Sequence, residues 1–112
     1  MKREELESLV IKWGNDKGLN NPVKQTLKTL SEAGELADAV CKSNLESFYD
    51  DGSGTNTIDN FDKILDAIGD IEVCLTILKD QIRIGQTEAL EAAYNEISGR
   101  KGKTINGTFI KE

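Results

Sequence analysis

The chain has 112 residues, a length that suits one domain, with hydrophobic residues at 38% and charged residues at 30%, too polar a balance for a membrane protein. Fourteen Lys and Arg stand against 20 Asp and Glu, so the formal charge is −6 and the pI is near 4.7, which argues against binding nucleic acid through its phosphates. There is no His, which removes Ser-His-Asp and Cys-His nucleophiles, zinc sites that need imidazole and the Glu-x-x-His di-iron pattern; a single Pro and 5% aromatics argue against a sandwich or barrel.

Four helices follow from period and punctuation. The first covers about residues 2–16, with Leu6, Leu9, Val10 and Trp13 on one side and Gly14 and Gly18 at its fraying end. The second, about 22–49, opens at Asn20-Asn21-Pro22, a cap followed by Pro at the first helical position. Its stripe is Val23, Leu27, Leu30, Gly34, Ala37, Cys41 and Phe48. The loop from Asp50 to Asn56 lacks the alternating ligands of an EF-hand and reads as a flexible connection. The third helix, about 58–84, carries Phe61, Ile64, Ile68, Ile71, Leu75, Leu78 and Ile82 on one stripe. The fourth, about 87–98, starts with Thr87 as N-cap and turns Leu90, Ala93, Tyr94 and Ile97 inward. In the tail, 99–112, Asn106-Gly107 between short β-formers predicts a hairpin, or an extended segment that docks on a partner. The expected architecture is all-α, a four-helix bundle with this small appendage.

Cys41 and Cys74 both fall in apolar helical stretches, which favours two buried thiols over a disulfide. The charged start, Met1-Lys2-Arg3-Glu4-Glu5, leads into no apolar run of the signal-peptide kind, so the cytoplasm is the default and the sequon at Asn106-Gly107-Thr108 carries no weight.

Chemistry has to come from carboxylates, amines or amides, and the carboxylates are the informative set. At about 100° per residue, Glu32 and Glu35 lie nearly opposite the Val23/Leu27/Leu30 stripe, with Gln25 and Lys28 ahead of them on the same side. A solvated face with a Lys28–Glu32 pair is the plainer account. On the third helix, however, Asp66 and Asp70 stand one turn apart and their column runs on into Val73 and Ile77. The segment from Ile71 to Leu78 is apolar nearly all round, as in a helix covered on two sides. A partner subunit is the economical cover, and the acids then sit at the mouth of a second, partly desolvated interface. Converging carboxylates repel one another unless divalent ions intervene, and hard oxygen ligands suit Mg²⁺. Glu72, at the stripe's edge, suits an ion pair with a neighbouring helix better than a metal role. Trp13 can stack on a nucleobase or simply fill the core.

Ser31-Glu32-Ala33-Gly34-Glu35-Leu36-Ala37-Asp38-Ala39 and Asp66-Ala67-Ile68-Gly69-Asp70-Ile71 resemble the two halves of the MazG-like nucleotide pyrophosphohydrolase signature, a Glu-x-x-Glu helix followed by a Glu-x-x-Asp helix. The lead-in from Trp13 to Leu19 and the tail from Arg100 to Glu112 look like those of the small single-domain members found in phages and their bacterial hosts. There is one departure: Ala67 stands where the family has Glu, and Asp66, one residue earlier, is the substitute.

The resemblance implies a Mg²⁺-dependent enzyme, or one using Mn²⁺ in its place, that hydrolyses a (d)NTP to (d)NMP and pyrophosphate and cleanses the nucleotide pool. It implies Glu32, Glu35, Asp66 and Asp70 as metal ligands, with Glu35 or Asp66 taking the proton of the attacking water. Lys28, Arg100, Lys101 and Lys103 are candidates for the phosphates, Asn95 for a phosphate or sugar, and Gln25 and Trp13 for further substrate contacts. Plainer roles are a solubilising tail for the basic residues and a solvent-facing position for Asn95. Family members are dimers or tetramers that share sites, which agrees with the two-sided third helix. The alternative reading is a non-catalytic helical oligomer that binds a protein partner through its acidic face.

Overall fold

The structure, a computed structural model, describes residues 1–48 and 57–112, the side chains of 47 and 48 excepted. Its elements are α1 (Arg3–Asp16), α2 (Pro22–Cys41), a single turn α3 (Leu45–Phe48), α4 (Phe61–Gln81), α5 (Glu88–Ile97), β1 (Gly102–Ile105) and β2 (Thr108–Lys111). The chain is therefore mostly helical with one small hairpin. Among the described residues no helix is long and apolar enough to cross a membrane.

The turn between α1 and α2 is built from local chemistry. α1 ends in a Schellman motif: Gly18, at φ 74°, donates to Asn15 O, and Leu19 N–H reaches back to Gly14 O at 3.0 Å. Asn21 then caps α2, its side-chain oxygen accepting Lys24 N–H at 3.1 Å, with Pro22 at the first helical position. Asn21→Ala is expected to cost about 1 kcal/mol in denaturant unfolding, the usual value of a lost side-chain cap.

α4 is the axis on which α1 and α2 pack. α2 runs antiparallel to it, since the first turn of α2 meets the second half of α4 where Gln25 Nε2 donates to Cys74 O at 3.1 Å. Ala39, Ile64, Ala67, Cys74 and Ile77 form a thin core between them, alongside buried Gln25, Glu32 and Thr76. α1 approaches so closely that a Cβ on Gly14 would lie 3.3 Å from Ile77 Cγ1 and Cδ1. Arg3 Nη1 pairs with Glu72 Oε1 at 2.9 Å, the inter-helix ion pair expected of Glu72. Ala39, Ala67 and Gly14 are the small residues at these contacts, and Ile64 and Ile77 fill the space between them.

Two expectations are corrected by this packing. The stripe Val23, Leu27 and Leu30 faces outward, with Leu27 62% and Leu30 70% exposed, and Cys41 is exposed as well. Phe61, Ile68, Leu75 and Ile82 of the α4 stripe are also exposed, and only Ile64 of it is buried. α2 turns Glu32 and Ala39 inward and Val23, Leu27 and Leu30 outward, while α4 turns Ile64, Ala67, Cys74 and Ile77 inward. The helical moment gives two faces but does not say which one the same chain covers.

The fourth long helix departs too. Every residue of α5 is exposed, Leu90, Tyr94 and Ile97 included, so within one chain it does not join a four-helix bundle. It is tethered through its lead-in loop, where Lys79 Nζ donates to Gln86 O at 2.9 Å and Gln86 Nε2 to Thr76 O at 3.0 Å. Thr87 is the N-cap residue, but its hydroxyl donates to Glu91 Oε1 instead of closing the cap. The radius of gyration is 17.4 Å, against about 13 Å for a compact chain of this length.

Helix boundaries shift where polar residues intervene. α2 stops at Cys41, where Ser43 Oγ donates to Val40 O at 2.6 Å, a local bond that competes with a further helical turn, and Asn44 reaches across the chain to donate to Thr57 O and accept from Asp59 N–H. α4 starts at Phe61, and after Gln81 a second Schellman turn ends it, with Arg83 at φ 62°. The expected loop from Asp50 to Asn56 and the side chain of Phe48 lie outside the described residues. The hairpin forms as expected: Ile105 pairs with Thr108, and Asn106 and Gly107, both at positive φ, make the two-residue turn.

Candidate functional site

The buried contact between α2 and α4 contains a charged side chain, and that is where the acids meet. One carboxylate oxygen each from Glu32, Glu35 and Asp70 lies within 4.8 Å of the other two. Glu32 and Glu35 are one turn apart on α2, and antiparallel packing brings Asp70 of α4 opposite them. Glu32 is only 5% exposed, whereas Glu35 and Asp70 open to solvent. Lys28 Nζ pairs with Glu32 Oε1 at 2.8 Å, the pair anticipated from their spacing. Glu32 Oε2 is buried and accepts no hydrogen bond.

The electrostatics follow from that arrangement. The hydrogen bond from Lys28 holds Glu32 below the usual carboxylate range, helped by its contact with Glu35 and opposed by burial. Glu32 in turn pushes Glu35 up, through the contact between the two carboxyls and then through its charge, with burial adding to the effect. Lys28 is raised by its bond to Glu32. Cys74, beneath the acids, is raised first by burial and then by the charge of Glu32.

A stability profile should record these shifts. Between the ordinary carboxylate value near 4.5 and the raised value of Glu35, the folded chain holds a proton that the unfolded chain has lost. This contribution is complete below the unfolded value and disappears as pH rises through the folded one. Glu32 acts oppositely: its share is complete above the unfolded value and is lost as pH falls through its depressed folded value. Without divalent ions, unfolding free energy should therefore fall as pH rises above about 4.5, and Glu35→Gln should remove that decline. Urea titrations at stepped pH check both.

Two cavities flank the acids. The larger, about 690 Å³, lies between the α1–α2 turn and α4, and its lining includes Trp13, Asn21, Gln25, Lys28, Glu32, Asp70 and Gln81. That volume is in the range of small-molecule sites. The smaller, about 560 Å³, lies on the other side and includes Glu35, Asp38, Lys42, Lys63, Asp66, Ala67 and Asp70. Asp70 borders both.

The expected site residues divide accordingly. Trp13, Gln25, Lys28, Glu32, Glu35 and Asp70 come together around the acids. Asp66 is exposed, borders the smaller cavity and stands outside the group of three. One residue along a helix is about 100° of rotation, so its carboxylate points past the cluster while buried Ala67 faces α2. Asn95, Arg100, Lys101 and Lys103 are exposed on α5 and the hairpin, and none of them lines either cavity; Arg100 pairs with Glu96 at 2.6 Å. Sequence reasoning missed Gln81, Asn21 and Lys63. Gln81 had a signal: it lies eleven residues after Asp70, three turns on and the same face.

The donor set suits a hard cation. Three carboxylates, one with a buried oxygen lacking any donor, offer the kind of oxygen ligands and charge that a divalent ion takes. No protein-family model, curated protein or solved structure matches the chain.

Proposed function

We propose that the protein is a Mg²⁺-dependent nucleoside triphosphate pyrophosphohydrolase of the MazG-like kind, acting on (d)NTPs in the cytoplasm, with Mn²⁺ able to replace Mg²⁺. The observation that carries this reading is the convergence of Glu32, Glu35 and Asp70 at the junction of two cavities, around a buried oxygen without a donor. A divalent ion on these carboxylates would supply Lewis acidity toward phosphate and water.

The chain's own groups do the rest. Glu35 has the raised proton affinity of a general base and takes the proton of the attacking water. Asp66 remains a candidate outer ligand at the rim of the smaller cavity. Lys28, positioned by Glu32, sets positive charge at the edge of the larger cavity for the polyphosphate. Gln25 holds the α2–α4 contact through Cys74 O, which makes it a positioning residue. Trp13, half-exposed at the rim, offers a flat face to a base.

The same reading includes a homo-oligomer. Val23, Leu27 and Leu30 of α2 and Leu90, Tyr94 and Ile97 of α5 are uncovered in one chain, and their combined surface favours a second copy. Asn95, Arg100, Lys101 and Lys103, absent from the lining of either cavity in their own chain, would then serve a neighbour's site.

One observation favours the non-catalytic alternative: Ala67, 5% exposed, puts a methyl where the family signature has a carboxylate. Pyrophosphate release from a panel of NTPs and dNTPs, with and without Mg²⁺, separates the two readings. The enzyme reading predicts Mg²⁺-dependent release that Asp70→Asn lowers at least a hundredfold. No release from any nucleotide leaves the interaction module.

A further inference from the structure

We infer that α5 docks its Leu90, Tyr94 and Ile97 stripe on the Val23, Leu27 and Leu30 stripe of a second copy. The homo-oligomer proposed above, on which this inference rests, is then held by two unlike helix faces and not by one face meeting itself. α5 is ten residues long and every one of them is exposed. An isolated helix of that length is marginal in water. The hairpin that follows is exposed throughout, and two strands alone are marginal too. Residues 88–112 thus form an arm whose apolar side chains need a surface that no described residue of their own chain provides.

Spacing and charge select the surface. The two stripes repeat the same i, i+4, i+7 pattern, so they match in length and in pitch around their helices. α5 carries Glu88, Glu91 and Glu96 and no Lys or Arg. Residues 22–31 of α2 carry Lys24 and Lys28 and no Asp or Glu. The other uncovered helix faces are acidic: α1 opens with Glu4, Glu5 and Glu7, and α4 carries Asp62, Asp66 and Asp70 among its exposed hydrophobes. A second α5 is as acidic as the first. Like charges set against each other suppress wrong pairings, and opposite charges favour the right one. The first half of α2 is therefore the partner that the charge of α5 selects. Made twice about a two-fold axis, the same contact closes a dimer.

The test is complementation between two full-length variants, read by sedimentation equilibrium. Leu27→Glu with Leu30→Glu spoils the α2 face and keeps α5; Tyr94→Gln with Ile97→Gln spoils α5 and keeps the α2 face. Each variant alone is expected to sediment as single chains, because every α5–α2 contact then has one damaged side. The equimolar mixture is expected to form one-to-one pairs, since the intact α5 of the first variant meets the intact α2 of the second. One of the two contacts is restored, so the mixture should associate about thirtyfold more tightly than either variant alone. Association of the mixture also shows that both variants are folded. If the α2 stripe met its own copy, the glutamine variant alone would associate like wild type; if α5 met α5, the glutamate variant would. Either result overturns the inference and leaves the oligomer standing, as does a mixture that stays apart while wild type associates. A wild type of single chains overturns the inference and the oligomer together. None of these outcomes depends on pyrophosphate release, so the hydrolase reading is tested separately.

Discussion

On the proposed hydrolase reading, Glu35→Gln is expected to lower Mg²⁺-dependent pyrophosphate release by at least about a thousandfold, more than any other single substitution in the cleft, because one change would remove both a metal ligand and the base. The same substitution should raise the midpoint of thermal unfolding in the absence of divalent ions above neutral pH. Glu35 is held above its ordinary range by Glu32, so its ionised form is the one that repels. A neutral amide keeps the shape and ends the repulsion, the usual opposition between stability and a charged site. Adding Mg²⁺ should then reverse the order: an ion that binds only the folded state stabilises wild type and has little to hold in the variant. Steady-state pyrophosphate assays and ion-stepped melting curves check the two halves separately. A variant that loses activity while also melting lower without ions would point to a packing role for Glu35.

The second large effect concerns assembly. On the proposed assembly, Leu27→Glu with Leu30→Glu is expected to leave single chains at concentrations where wild type is associated. Burying a leucine is worth about 1.5–3 kcal/mol, and each copy would contribute two to the interface. Loss of that burial, with charge brought onto both sides, should raise the dissociation constant at least about a thousandfold. These side chains touch little of their own chain, being 62% and 70% exposed. Helical circular dichroism of the isolated chains should therefore stay near the wild-type value per residue. Sedimentation equilibrium reads the association state, and a wild type that sediments as single chains would contradict the assembly directly.

Much of this was legible in the sequence for local reasons. Asn21-Pro22 and Asn106-Gly107 are decided within a few residues, so the start of α2 and the hairpin turn fell where expected. Lys28–Glu32 and the separation of acids from the leucine stripe follow from helical period alone. What period cannot convey is which of two faces a chain covers by itself. Val23, Leu27 and Leu30 are the stronger hydrophobes, yet α4 packs on Gln25, Glu32 and Ala39, a choice set by small residues and by the antiparallel return of the chain. Asp66 stands outside the group of three for a related reason: one turn before Asp70 is close to the right height, but the residue facing α2 there is Ala67. α5 carries a good apolar stripe that no described residue of its own chain covers. Gln81 shares the face of Asp70, but a lone glutamine at a helix end names no chemistry until the cavity it lines is seen.

Direct titration of the divalent ion is the most telling measurement, with Mn²⁺ as a paramagnetic stand-in for Mg²⁺ and no nucleotide present. Wild type should show saturable binding that strengthens as pH rises through the titration of Glu35, because the proton and the ion compete for the same oxygens. Glu32→Gln should abolish it, and Glu72→Gln, whose partner is Arg3, should leave it intact. Binding that is absent in wild type, or that Glu32→Gln leaves unchanged, would contradict the account at its base.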